Sequence, residues 1–513
     1  MKKEKSNIIK ATILVLVLSL ASKILGFVKS IIQASYFGAT TYTDAFNVAY
    51  GFVENVLFML ITAISVAFVP LYIQNKKENT GKRFATVTIT LTAIISIAFS
   101  IVLILLAPFV VKLLAPAFTV EQQAMTVQFF RVLLIGMVFA LTSHMYTSLL
   151  NAEKIYGFSA LGSVINSIIL ILFIVFLANE LGVWVLAISV PVSYLIQWII
   201  LYLRGKRFAS VSFKYGIWDK SVKVLLIQAF PILLGQATVE INQMIDRSLL
   251  SSVGEGIVTA VSYSAVLYQF VVTLVGAPLQ TVLFTELSEA GANNDFERIS
   301  NTLRKCYKLI FILCIPIAIV IVFGSTDIVR IVYGHGKFSL SAIDNCSIGL
   351  QMYGLCLLPV CVKKALSRAY YSQNNTKRPM VLGVFEVMLN VGLSIWWVKK
   401  WGIYGVVGAT AVASFVFIIV MLIDYNIKYS HVISIVELRS YWRIVIGLII
   451  TNLGMVAFSQ IQFGSPLLSF ICKTLFSFVI FYAILLLAKE PIFMYMVKGT
   501  INTISKKISG NRL

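Results

Sequence analysis

SKILGFVKSIIQASYFGATTYTDAFNVAY, residues 22–50, is the stretch from which the class of this protein follows. It lies in a run apolar enough to span a bilayer, yet Lys23, Lys29 and Asp44 sit inside that run or at its ends. A charge at mid-bilayer costs about 3–10 kcal/mol, so it faces a bundle interior or a wet cavity unless it snorkels to an interface. Lys23 and Lys29 are six residues apart, about 9 Å along a helix axis and roughly 120° around it. Gly26 lies between them, where a bend is cheap and would aim both ammonium groups into one cavity. An anion-binding cavity is therefore the first expectation, and snorkelling is its rival.

Working outward, the 513 residues are 59% hydrophobic and 12% charged, and their mean hydropathy is +0.91. A soluble fold has too little interior for that fraction, so the fold class is an all-α polytopic membrane protein. The apolar runs are continuous rather than alternating, which excludes a β-barrel. The net charge of +21 sits in short loops between spans, an orientation signal and not a nucleic-acid footprint. The six cysteines show no metal-ligand spacing and read as small core residues. The N-terminal run has no small-x-small cleavage site before Lys23 and is expected to be an uncleaved first span.

Windows of spanning length predict fourteen helices, at 8–35, 44–73, 84–114, 123–151, 158–178, 182–203, 222–251, 257–288, 303–333, 342–371, 380–398, 403–427, 439–460 and 467–488. Alternating sides places Lys76, Lys77, Lys82, Arg83, Lys154, Arg204, Arg207, Lys377 and Arg378 on one side, with Lys337, Lys399 and Lys400 opposite. Both termini are then cytoplasmic. A weak internal repeat pairs Gly38 with Gly254 and Thr43 with Thr259 at an offset of 216, and Gly182 with Gly402 at 220. The expected organisation is an N-lobe at 1–204 (spans one to six) and a cytoplasmic inter-lobe loop at 205–221. A C-lobe at 222–428 (spans seven to twelve) and a C-terminal pair of helices with a basic tail at 429–513 complete it. The two six-helix lobes form a parallel pseudo-repeat.

Other charges in or near spans are few: Glu54, Arg131, Glu240, Asp246, Arg247, Lys363, Lys364 and Arg368, with His144. Lys364 is deeper, where a cavity role and snorkelling are both open. Asp246–Arg247 reads as a local structural pair, and Asp44 as either a cavity charge or a cap of the second helix. No nucleophile-base set, carboxylate pair, glycine-rich phosphate loop or metal cluster is present, so no catalytic residue and no cofactor is expected. A transporter is favoured over a membrane enzyme.

The segment at 22–50, with AFVPLY at 67–72, resembles the opening of the MurJ (MviN) lipid II flippases. YGHGKF at 333–338 and KKALSRAYYSQNNTKRP at 363–379 resemble later signatures of the same family. The resemblance implies membership of the multidrug/oligosaccharidyl-lipid/polysaccharide exporter superfamily, in a bacterial plasma membrane, with alternating access between lobes. It implies flipping of an undecaprenyl-pyrophosphate-linked saccharide, lipid II first. An exporter of another lipid-linked repeat unit and a cation-coupled drug antiporter are the alternatives. Lys23 and Lys29 stand where that family typically carries arginine, and Asp44 matches its first-lobe aspartate. The implied substrate site is Lys23, Lys29, Asp44 and Lys364, with Gly26 and Gly38 as hinge or gate. Dependence on membrane potential or a coupled monovalent ion is expected, as are anionic lipids and cell-wall synthesis proteins as partners.

Overall fold

A computed structural model describes residues 2–155, 157–293, 295–373, 375–429, 439–461 and 463–498. The predicted basic tail from 499 onward, and 430–438 with His431, lie outside the described residues. The described residues form ten helices before residue 373: α1 (Lys2–Phe37), α2 (Thr41–Lys77), α3 (Gly81–Leu114), α4 (Val120–Ala152), α5 (Gly157–Leu181), α6 (Trp184–Gly205), α7 (Lys220–Ser251), α8 (Ile257–Ala292), α9 (Phe296–Tyr333) and α10 (Leu340–Ser372). The stretch Lys377–Tyr429 is broken at Gly402 (φ 53°, ψ −124°) into α11 (377–401) and α12 (403–429). A 3₁₀ turn, Arg439–Tyr441, leads into α13 (Trp442–Phe458) and then α14 (Pro466–Leu487). Fourteen helices thus stand where fourteen are expected among the described residues, several of them longer than the apolar windows. Spans eleven and twelve need no loop between them, because a single left-handed glycine redirects the chain.

Local chemistry explains the helix starts. Thr40 and Thr43 form a reciprocal capping box at α2, as do Thr119 and Gln122 at α4. Asp219 caps α7, Asp295 caps α9, and Ser465 caps α14 with Pro466 at its first position. The repeat is visible in the element boundaries: α2 and α8 begin 216 residues apart, α4 and α10 begin 220 apart. Gly182 and Gly402 both adopt positive φ, at 54° and 53°.

Eleven helical stretches among the described residues are long and apolar enough to cross a membrane, Lys377–Tyr429 counting once, and Trp442–Phe458 is a shorter apolar helix. Large apolar side chains stand exposed along one face of α3, at Leu105, Phe109 and Leu113. In water that pattern is a liability, whereas in hydrocarbon it is what a lipid-facing helix carries. The protein is a multi-pass membrane protein.

By contacts the chain divides into two compact units. The first is Met1–Tyr263 with His335–Ala342, and the second is Ser264–Gly334 with Ile343–Leu513. In the first, α2 is central and packs against α3, α4 and α7, while α1 lies on α5. Its core interlocks aromatic rings: Phe46 on Phe129 (6.3 Å), Phe52 on Phe130 (5.3 Å) and Phe129 on Trp184 (4.9 Å). In the second unit, α9, α13 and α14 share a core around Ile312, Ile315, Met455 and Phe481.

Candidate functional site

Within the first unit, the residues singled out by sequence separate into a polar cluster and a latch. The cluster begins with Lys29 of α1, half-buried, whose Nζ is 6.0 Å from the centroid of the Tyr50 ring on α2. Tyr50 donates its hydroxyl hydrogen to Glu54 Oε1 at 3.2 Å, one helical turn on. Glu54 lies close enough to act on Lys29 electrostatically. From α7, Arg247 lays its guanidinium over Gly51, where a Cβ would overlap Nη1 and Cζ. Glycine at 51 is what lets α2 accept that side chain. Glu240, buried on α7, receives Gln243 Nε2 at 3.4 Å, and its backbone oxygen receives Asn55 Nδ2 at 3.4 Å. With the Asn55 amide nitrogen and oxygen exchanged, the same side chain donates to Glu240 Oε2 at 3.3 Å. Two cations, two carboxylates and a tyrosine from α1, α2 and α7 therefore lie near one another. Lys23 lies on the exposed part of α1, six residues before Lys29, and α1 runs unbroken through Gly26, around which there is open space.

The latch is built on Asp44. Its carboxylate is 1% exposed and receives Gly256 N at 2.6 Å, Thr259 N at 2.8 Å and Thr259 Oγ1 at 2.6 Å. It thus caps the start of α8, while the cap of its own helix is Thr40. The sequence left Asp44 as a cap of the second helix or a cavity charge; the structure makes it a cap, across 212 residues of chain, because α8 offers unpaired N–H groups there. Asn47 Nδ2 adds a bond to Thr259 Oγ1 at 3.0 Å. Three left-handed glycines surround this point: Gly38 (φ +63°), Gly256 (φ +73°) and Gly336 (φ +65°). A Cβ on Gly38 would meet the Lys337 backbone oxygen, on Gly256 the Ala39 oxygen, and on Gly336 the Ser35 oxygen. Lys337 N donates to Ser35 O at 2.8 Å, and Phe338 packs edge-on against Tyr263. The left-handed glycine of the α7–α8 turn is Gly256, two residues beyond the Gly254 that the repeat pairs with Gly38.

Arg131 stands apart: it is exposed and its Nε reaches Ile104 O at 3.4 Å. Asp246 accepts from Asn242 Nδ2 at 3.5 Å on its own helix. Lys364 belongs to the second unit, partly buried on α10. Its neighbour Lys363 makes the ion pair there, to Glu386 Oε2, with Ser414 Oγ on Oε1 at 3.1 Å and the Phe417 ring 4.6 Å below the ammonium. A second and more deeply buried pair, Lys473 Nζ to Asp327 Oδ2 at 2.6 Å, is joined by Ser469 Oγ at 2.8 Å. Sequence reasoning missed Glu386, Asp327 and Lys473, although each is a charge within a predicted span and carries the same signal as Lys29. Gly51 had no such signal. Among the described residues no group of His, Cys, Asp and Glu could hold a metal ion.

At the opposite end of α2, Glu153 receives Lys76 Nζ at 2.6 Å and Tyr72 Oη at 2.7 Å. Burial pushes the Glu153 carboxyl up, but these two donors outweigh it and hold it below its ordinary value. The loop after α6 is tied down nearby by Arg83 to Asp219 (3.0 Å) and Ser221 to Asn75 (3.0 Å).

A family model described as lipid II flippase MurJ matches residues 33–472. A probable lipid II flippase MurJ from Treponema pallidum (strain Nichols) is 24% identical over 412 residues, covering 76% of this chain and 77% of that protein. A solved lipid II flippase MurJ in an inward closed conformation shares the fold at a TM-score of 0.80, with 22% identity, over 92% of this chain and 98% of its own. An inward-facing multidrug resistance MATE family transporter of the MOP superfamily aligns at a TM-score of 0.70, with 15% identity, over 82% of this chain and 98% of its own.

Proposed function

The chain belongs to the MurJ family of lipid II flippases, and from that premise we propose that it moves lipid II, an undecaprenyl-pyrophosphate-linked saccharide, across the bacterial plasma membrane. The observation that carries this reading is the family match over residues 33–472. The substrate site in this reading is Lys29 with Lys23, both on α1. Lysine supplies the positive charge for a pyrophosphate but lacks the bidentate fork of arginine. In this reading the basic loops and both termini are cytoplasmic.

Transport proceeds by alternating access between a lobe of spans one to six and a lobe of spans seven to twelve. The Asp44 latch holds the outer end closed, and Gly38 lets that turn form. Moving one negative charge out of a negative interior is favoured by ~2.3 kcal/mol per 100 mV, so the membrane potential drives the loaded step. A surplus of cavity cations draws the empty carrier back by the same field, with no coupled ion required. Anionic lipids of the inner leaflet meet the basic loops, and cell-wall synthesis proteins take up the product.

The test is complementation of a strain depleted of its own lipid II flippase, with membrane levels measured in parallel. Lys23→Ala with Lys29→Ala is expected to abolish rescue while the protein stays inserted. Full rescue by the double variant would refute the cationic site. Failure of the well-expressed wild type would move the substrate to another lipid-linked repeat unit.

A further inference from the structure

Among the charges gathered between α1, α2 and α7, one nitrogen has no use in the resting structure. Arg247 Nη1 is buried and has no hydrogen-bond partner among the described residues. A buried charged donor left unpaired is costly, so it calls for an acceptor that comes and goes. The cavity beside it, lined by Val48, Phe52, Leu114 and Met244, is about 10 Å³, room for one water at most. The nearby carboxylates already have donors of their own, Tyr50 for Glu54 and Gln243 for Glu240. Arg247 also lies within electrostatic reach of Tyr50, whose ring carries Lys29 on it.

We propose that Arg247 is a phosphate-binding residue of the transport site, a guanidinium fork delivered from α7 across Gly51 to complement the point charge of Lys29. This rests on the flippase reading and deepens it, by naming the group that distinguishes a pyrophosphate from a single phosphate. Lysine binds phosphate as a point charge, whereas a planar guanidinium grips two oxygens at once. The glycine matters as much as the arginine. Alanine at 51 would push the guanidinium off its seat while leaving the charge in the protein.

The experiment is binding of undecaprenyl pyrophosphate and undecaprenyl phosphate to the purified full-length protein, read by native mass spectrometry, with melting temperature measured alongside. Arg247→Gln is expected to weaken undecaprenyl pyrophosphate by about 10- to 100-fold and the monophosphate much less, so that the ratio of the two collapses. Arg247→Lys is expected to recover part of the affinity but not the ratio, and Gly51→Ala to lower the ratio without loss of fold. A purely structural role would lower melting temperature and weaken both lipids equally, and that outcome overturns the proposal, as does an unchanged ratio. Inorganic pyrophosphate competing as well as the lipid itself would make the ligand a free phosphate and also overturn it. A folded wild type that binds neither lipid would instead sink the flippase reading on which this rests.

Discussion

Asp44→Ala should loosen the junction at which this carboxylate on α2 holds the start of α8. The side chain receives three hydrogen bonds, from Gly256 N, Thr259 N and Thr259 Oγ1, all between 2.6 and 2.8 Å and all buried. A hydrogen bond to a charged group contributes about 1.5–3 kcal/mol, and three that share one carboxylate do not add fully. The set is then worth roughly 3–5 kcal/mol, because alanine also strands two N–H groups at the start of α8. Applied to a two-state equilibrium, that shifts populations by about 10²- to nearly 10⁴-fold. Asp44→Asn keeps one acceptor oxygen but turns an NH₂ group toward a donor, for a loss of about 1–2 kcal/mol. Thr259→Val removes a single bond and falls in the same range. The assay is the labelling rate of a cysteine at Val258, 1% exposed, in a background lacking the six native cysteines. Labelling is expected to rise in the order wild type, Asp44→Asn, Asp44→Ala, with export falling in the same order. Unchanged labelling in a folded Asp44→Ala protein would refute the latch.

Three further outcomes are expected. Lys363→Met leaves the Glu386 carboxylate without its ammonium inside the membrane and should lower the melting temperature more than the double change Lys363→Met, Glu386→Gln, which removes both charges. Gly336→Ala forces a left-handed backbone onto alanine and drives its Cβ into the Ser35 oxygen, so it should destabilise by more than ~1 kcal/mol, read as a fall in melting temperature. Because Glu153 is held below its ordinary value in the folded protein, its contribution is fully present above about pH 5 and fades as pH falls through the depressed value. The melting-temperature difference between wild type and Glu153→Gln should therefore be constant from about pH 5 to 8 and shrink only in stronger acid.

Hydropathy is a local property, and it was enough to determine the membrane class and the number of helices. Each span must satisfy its own backbone hydrogen bonds in lipid, so its length and composition are written in one continuous window. The intramembrane charges were legible for the same reason: Lys29, Asp44 and Arg247 stand out against apolar neighbours wherever the chain folds. Their partners were not. Asp44 finds Gly256 and Thr259 more than 200 residues away, and no periodicity announces which helix start an aspartate will cap. Gly402 falls between two predicted spans, and only its dihedral angles show that it joins two helices without a loop. Gly51 reads as any small residue in a helix, and only the packing of α7 on α2 turns the absence of its Cβ into a seat for a guanidinium. What a residue is belongs to the sequence, whereas what it meets depends on which helices pack, and that is set by the whole bundle at once.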